Sequence, residues 1–313
     1  MVGSKIVYLL IVISLILLLI IKIITKKNTL ENFDNKIVFL DKKESCNLIK
    51  NIDYFMDLTE SDLYARKLIS KRNNIFNAYC NGFENFTNNE KNKLQTIVNS
   101  LPRNELFSRF SFAKIGPNIE YGYPHTHKDT IFMSENTIDR PLKDLIYVIV
   151  HEQMHVMQRK KSELFKNLYL DRLKFKQGKL ILDNKYKNLI RSNPDTRLVL
   201  ENEFIYDDGN DNYYYLNAFF RKKQPNNLGD VEYLAIKCEL TEKDNKNIFT
   251  TTDTTIKLED FSNFNQFFGL MGNHYHPNEI SAELIALHYS NKNNELSPAL
   301  MIIGSWLKQK VVG

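Results

Sequence analysis

The stretch that most narrows what this chain can fold into is His151-Glu152-Gln153-Met154-His155. Leu145, Ile146, Ile149 and Val150 precede or enter it at helical spacing, and Met154 and Met157 continue the pattern. Asp139 can act as N-cap and Pro141 suits a first turn, where a missing N–H costs nothing. On such a helix His151 and His155 stand one turn apart on one face, where a single tetrahedral zinc ion can take both. Glu152 is not needed as a ligand and is free to take a proton from metal-activated water. The alternative is a solvent-facing helix whose histidines bind nothing. The apolar flank (Val148, Ile149, Val150, Val156, Met157) argues against it, because a surface helix carries charge there.

Two histidines leave a catalytic site short of one protein ligand. The segment Pro277-Asn278-Glu279-Ile280-Ser281-Ala282-Glu283 supplies candidates. Pro277 opens a helix, Glu279 and Glu283 share a face, and small Ser281 and Ala282 let that helix approach closely. Glu279 is the expected third ligand, and Glu283 the acceptor that fixes a ligand histidine's tautomer. The seven histidines fall in three short regions: His125 and His127, His151 and His155, then His274, His276 and His288. His274 or His276 could face a developing oxyanion or replace Glu279 as ligand. His125 and His127, at i and i+2 on an extended segment, share one face and suit a place beside the substrate or a second metal. The other reading of that pair is a polar loop.

His-Glu-x-x-His followed by a later Glu-x-x-x-Glu helix resembles the gluzincin zinc metallopeptidases. The resemblance rests on the two helices alone. It implies a zincin-like domain, zinc held by His151, His155 and Glu279, Glu152 as general base, Glu283 behind the ligands, and a protein or peptide substrate lying along an edge strand. Arg159 to Glu163 offers no third histidine, which excludes the metzincin pattern.

The rest of the chain sets the frame. Ile6 to Thr25 is apolar apart from Lys22 and runs straight into Lys26 and Lys27, so it reads as an uncleaved transmembrane signal-anchor. Lysines after the span tilt the C-terminal part weakly towards the cytoplasm. Net charge is +5 without a basic run, which implies no nucleic-acid partner. Cys46, Cys80 and Cys238 form no CxxC pair and read as buried thiols, one disulfide being the alternative. Residues 41–101 read as helical, with Thr87 and Glu90 a capping box. Phe107 to Ile115 and Thr130 to Met133 read as strands, and Leu180 to Thr252 as a run of further strands.

The expectation is an α+β fold: a transmembrane helix over 1–27, a linker and helical subdomain over 28–118, and a zincin-like domain over 119–313 with a β-rich insertion at about 180–256. The expected function is a membrane-anchored zinc metalloendopeptidase. The alternatives are a membrane-tethered zinc-binding module without catalysis and a zinc hydrolase of a non-peptide amide.

Overall fold

A computed structural model describes residues 15–17 and 36–311, apart from 51, 270–274 and 291–296. Five strands form one sheet: β1 (Lys36–Leu40), β2 (Phe83–Glu84), β3 (Arg109–Ile115), β4 (His125–His127) and β5 (Thr130–Ser134). Its order is β1-β3-β5-β4, with β2 paired to the end of β3. β1 and β5 run parallel to β3, while β2 and β4 are antiparallel to their neighbours.

Side-chain alternation divides the sheet between two cores. Phe110 and Phe112 of β3, with Ile131 and Met133 of β5, face the main core. Ala113, Ile115 and Phe132 face the other, roofed by α1 (Lys42–Ile49), α2 (Glu60–Ala65) and α3 (Ile75–Asn81). The Cys46–Cys80 disulfide ties α1 to α3, and Cys238 is a free buried thiol. The expectation of three thiols is thereby corrected: a separation of 34 residues hides a pairing that the packing of two helices creates. α4 (Asn88–Ser100) opens on the Thr87–Glu90 capping box expected of it.

The main core is built on α5 (Leu142–Lys160), followed by α6 (Ser162–Arg172), α7 (Ser262–Phe268), α8 (Pro277–Ser290) and α9 (Pro298–Val311). Two boundaries differ from expectation. Asp139 has helical φ/ψ and closes the preceding short helix, so Pro141, with ψ 148°, is the residue that caps α5. The helix was expected to continue through Leu173, but it stops before Lys161, whose φ −127° and ψ 47° turn the chain so that Phe165, Leu168 and Tyr169 of α6 pack inward.

Between α6 and α7 the chain makes a closed barrel of β6 (Phe175–Ile181), β7 (Glu203–Asp207), β8 (Tyr213–Phe220), β9 (Val231–Lys243) and β10 (Lys246–Lys257). Consecutive strands are antiparallel, and β10 closes on β6 in parallel. At that seam Gly178 is required. A Cβ there would stand 2.6 Å from the Asn247 carbonyl and 2.8 Å from the Phe249 ring. One barrel face, including Tyr206, Leu216 and Ala218, is shared with the main core.

The expected fold class therefore needs correction to a mixed α/β fold with a five-stranded barrel: the sheet contains parallel pairs, and the crossover from β1 to β3 runs through helices. The expected transmembrane anchor is corrected as well. Crossing a bilayer takes about 20 consecutive apolar helical residues. Among the described residues no helix is long and apolar enough to do so. Of Ile6 to Thr25 only residues 15–17 are described, as helix, and the remainder lies outside the described residues. The signal-anchor, membrane partner and single-pass membrane location that rested on that run are not retained.

Candidate metal centre

α5 and α8 cross face to face, with Ser281, Ala282 and Ala286 fully buried between them. On α5, Tyr147, His151 and His155 repeat every four residues and so line one stripe. From α8, Glu279 reaches the same point. His151 Nε2 and His155 Nε2 are 3.0 Å apart. Glu279 lies 3.4 Å from the first and 3.6 Å from the second. Ligand bonds of about 2.0–2.1 Å to a tetrahedral divalent ion require ligand–ligand edges of about 3.3–3.4 Å. The three distances fall around that value, with Glu279 meeting His151 through Oε2 and His155 through Oε1.

Hydrogen bonds behind the ligands decide where their protons sit. Gln158 gives its Nε2 hydrogens to Asn278 O at 2.8 Å and Ser281 Oγ at 3.0 Å, which turns its Oε1 towards His155 Nδ1 at 2.9 Å. An amide oxygen only accepts, so His155 carries its hydrogen on Nδ1 and keeps a lone pair on Nε2. His151 Nδ1 faces Glu283 Oε2 at 3.5 Å, an ion-pair distance that favours a hydrogen on Nδ1 without closing a hydrogen bond to it. Two imidazole nitrogens and a carboxylate thus converge on one buried point, a set of donors that could hold a cation.

The electrostatics agree. Burial opposes charge on every group here, yet its contacts with Glu279 and Glu283 hold the His151 imidazole well above its ordinary pKa. Burial would raise Glu279, but His155 and His151 bring its carboxyl down to about 2. For His155, burial dominates and lowers it.

Glu152 differs from its neighbours. Burial first, then Asp195, push its carboxyl well above the usual range, and its Oε2 is buried without a hydrogen-bond partner among the described residues. Asp195 is itself tethered by the Thr126 hydroxyl and by Arg159 at 3.4 Å. A buried carboxylate with one oxygen spare is suited to taking and holding a proton.

These groups line a cleft of about 390 Å³. Its opposite wall carries His125 and Glu120. His125 Nδ1 donates to the Tyr123 carbonyl at 3.0 Å, leaving a buried Nε2 without a partner among the described residues. His127 shares the face of His125, with ring centres 5.2 Å apart, but packs on Tyr54 and Phe132 away from the cleft. Burial holds His127 well below its usual pKa. His276 caps α8, its Nδ1 accepting from Asn278 N at 3.1 Å and its Nε2 standing 3.5 Å from Glu203 of the barrel. His274 lies outside the described residues.

Several cleft residues carried no signal in the sequence. Asn193 donates to Glu279 at 2.9 Å and to the Tyr275 hydroxyl at 2.5 Å. Asp195 also takes the outward amide of Thr126 at 3.4 Å, on the edge strand β4 that was expected to receive substrate. Tyr147 bonds Glu283, and its position four residues before His151 is the one trace helical spacing offered.

No family model matches this chain, and no curated protein or solved structure is significantly similar to it.

Proposed function

We propose that this chain is a zinc-dependent peptidase whose site chemistry resembles that of the gluzincins. The observation that carries the proposal is the convergence of His151 Nε2, His155 Nε2 and the Glu279 carboxylate within 3.0–3.6 Å, beside a buried Glu152 with an oxygen unpartnered among the described residues. A zinc ion held by those three residues would polarise a carbonyl and lower the pKa of a water. Histidine and carboxylate donors without a thiolate suit zinc, and three protein ligands leave a position facing the cleft.

Glu152 takes the proton of the attacking water on its spare oxygen and returns it to the leaving amine. Its raised pKa favours holding that proton between the two events. Glu283 and Gln158 keep the hydrogens of His151 and His155 on Nδ1. Tyr275, whose hydroxyl oxygen accepts from Arg191 and Asn193, has its own hydrogen to give to a substrate oxygen.

A purely structural metal site has no use for an unpartnered carboxylate beside its ligands, which disfavours a binding module without catalysis. The test is hydrolysis of a quenched-peptide library by the zinc-loaded full-length chain. Glu152→Gln should keep stoichiometric zinc and lose turnover by about 10²–10⁴-fold. A variant with undiminished turnover would remove Glu152 from the mechanism.

A further inference from the structure

The cleft that holds the ligand set also holds a cation with which no acid among the described residues forms an ion pair, Glu279 acting on it only from a distance. Arg191 lines it from the segment leading to β7. Its Nη2 donates to the Tyr275 hydroxyl at 3.2 Å and its Nη1 reaches the Leu228 carbonyl at 3.5 Å. The guanidinium sits 5.9 Å and 5.6 Å from the ring centres of Tyr233 and Tyr275, which stack on each other. Among the described residues no carboxylate stands within ion-pair distance of it.

Arg66, at the same cleft, shows what a satisfied arginine looks like here. It pairs with Asp62 at 2.7 Å and Glu120 at 2.8 Å and also donates to the Tyr54 hydroxyl and the Ser192 carbonyl. Arg191 has five side-chain N–H groups, always charged, and among the described residues only its Nη1 and Nη2 find partners. It is held in place by ring faces and a hydroxyl, which leaves its fork open to a ligand.

Its position relates it to the proposed chemistry. Tyr275 joins Arg191 to Asn193, and Asn193 joins Tyr275 to Glu279. A group flanking a carbonyl at the ligand set therefore falls to Arg191. Asp195, four residues further along the same segment, already takes the Thr126 amide, which disfavours an extended chain pairing along β4 there. Both features favour a short or terminal segment carrying a negative charge over a long peptide threaded through.

We infer that Arg191 is a specificity residue that receives a substrate carboxylate beside the scissile amide. A planar guanidinium takes a carboxylate in two parallel hydrogen bonds, a geometry a neutral amide cannot match. The carboxylate comes from a chain terminus or from an Asp or Glu side chain. The identity of the bond cut rests on the peptidase reading; the carboxylate site does not.

The test separates the two. Metal-free full-length chain, in which no metal can answer for the carboxylate, is titrated calorimetrically with four N-acetylated tetrapeptides. One is all-alanine with a free C-terminus, one is its amide, and two are amides with a single Glu or Gln. At least one anionic peptide should bind about 10- to 100-fold tighter than its neutral counterpart, the size of a charged hydrogen-bond pair. Which one does so identifies the source. Arg191→Gln should bring that ratio close to one, and Arg191→Lys, which keeps the charge without the fork, should fall between. Equal affinities in the wild type, including no measurable binding of either kind, would overturn the inference, as would a ratio that survives in Arg191→Gln. An intact ratio together with no hydrolysis by the zinc-loaded chain would instead overturn the peptidase reading alone.

Discussion

Two buried polar clusters border the same cleft, and they are built on opposite plans. Around Arg66 every charged group is fully hydrogen-bonded: Asp62 and Glu120 bracket the one guanidinium, Tyr54 and Tyr79 donate to Glu120, and Thr59 and Ser192 donate to Asp62. Burial alone would raise the Glu120 carboxyl, but Arg66 beside it holds it below its ordinary pKa. Around His151 the complement is missing. Two imidazole nitrogens and a carboxylate point at each other, and the residues behind them enforce that orientation. The first cluster is closed and works as structure. The second is organised for a guest. Burial is shared by both, so it is the unmet demand for positive charge that distinguishes a site from a strut.

The comparison breaks most visibly at Arg66. Arg66→Met leaves Glu120 and Asp62 buried without their cation and should destabilise the fold by about 3–5 kcal/mol in chemical denaturation. The folded fraction should still bind one zinc. Because the folded pKa of Glu120 is depressed, its contribution is complete above its unfolded pKa and fades as pH falls through the folded value. Arg66→Met should therefore flatten the acid limb of the stability profile. Loss of zinc binding by folded Arg66→Met would mean the clusters are one unit.

Next in size is the response to the guest itself. Free zinc at 100 times its dissociation constant should stabilise the wild type by about 2.7 kcal/mol, and Arg66→Met by the same increment. Thermal unfolding with and without chelator reads this directly. Gln158→Leu should weaken zinc affinity about 10- to 100-fold, because the His155 ring loses the acceptor that fixes its hydrogen. The smallest effect expected is from Tyr79→Phe. It removes one hydrogen bond to Glu120 and should cost about 1–3 kcal/mol of stability, towards the lower end because Arg66 and Tyr54 still bond that carboxylate. Zinc affinity should not move.

How much of this was legible in the sequence follows from the range of each signal. The α5 register and the Thr87–Glu90 cap both rest on spacings of three or four residues, which local helix geometry dictates. Glu279 was reachable as well, since it shares a helical face with Glu283. Arg191, Asn193 and Asp195 were not. They sit on an irregular segment between Lys187 and Leu200, where no periodicity says which way a side chain faces. Their place is set by the barrel that carries them to the cleft. The same limit hid the Cys46–Cys80 pairing and the parallel closure of β10 on β6, both products of tertiary packing. It also explains His276, which has the sequence context of a site residue but turns towards Glu203 because α8 needs its N-terminus capped.

The most direct test of the account is the zinc content of the purified full-length chain, wild type beside Glu279→Ala. One equivalent in the wild type, falling sharply in a variant that remains folded, is the predicted result. Well-folded wild type that takes up no zinc would contradict the account at its centre.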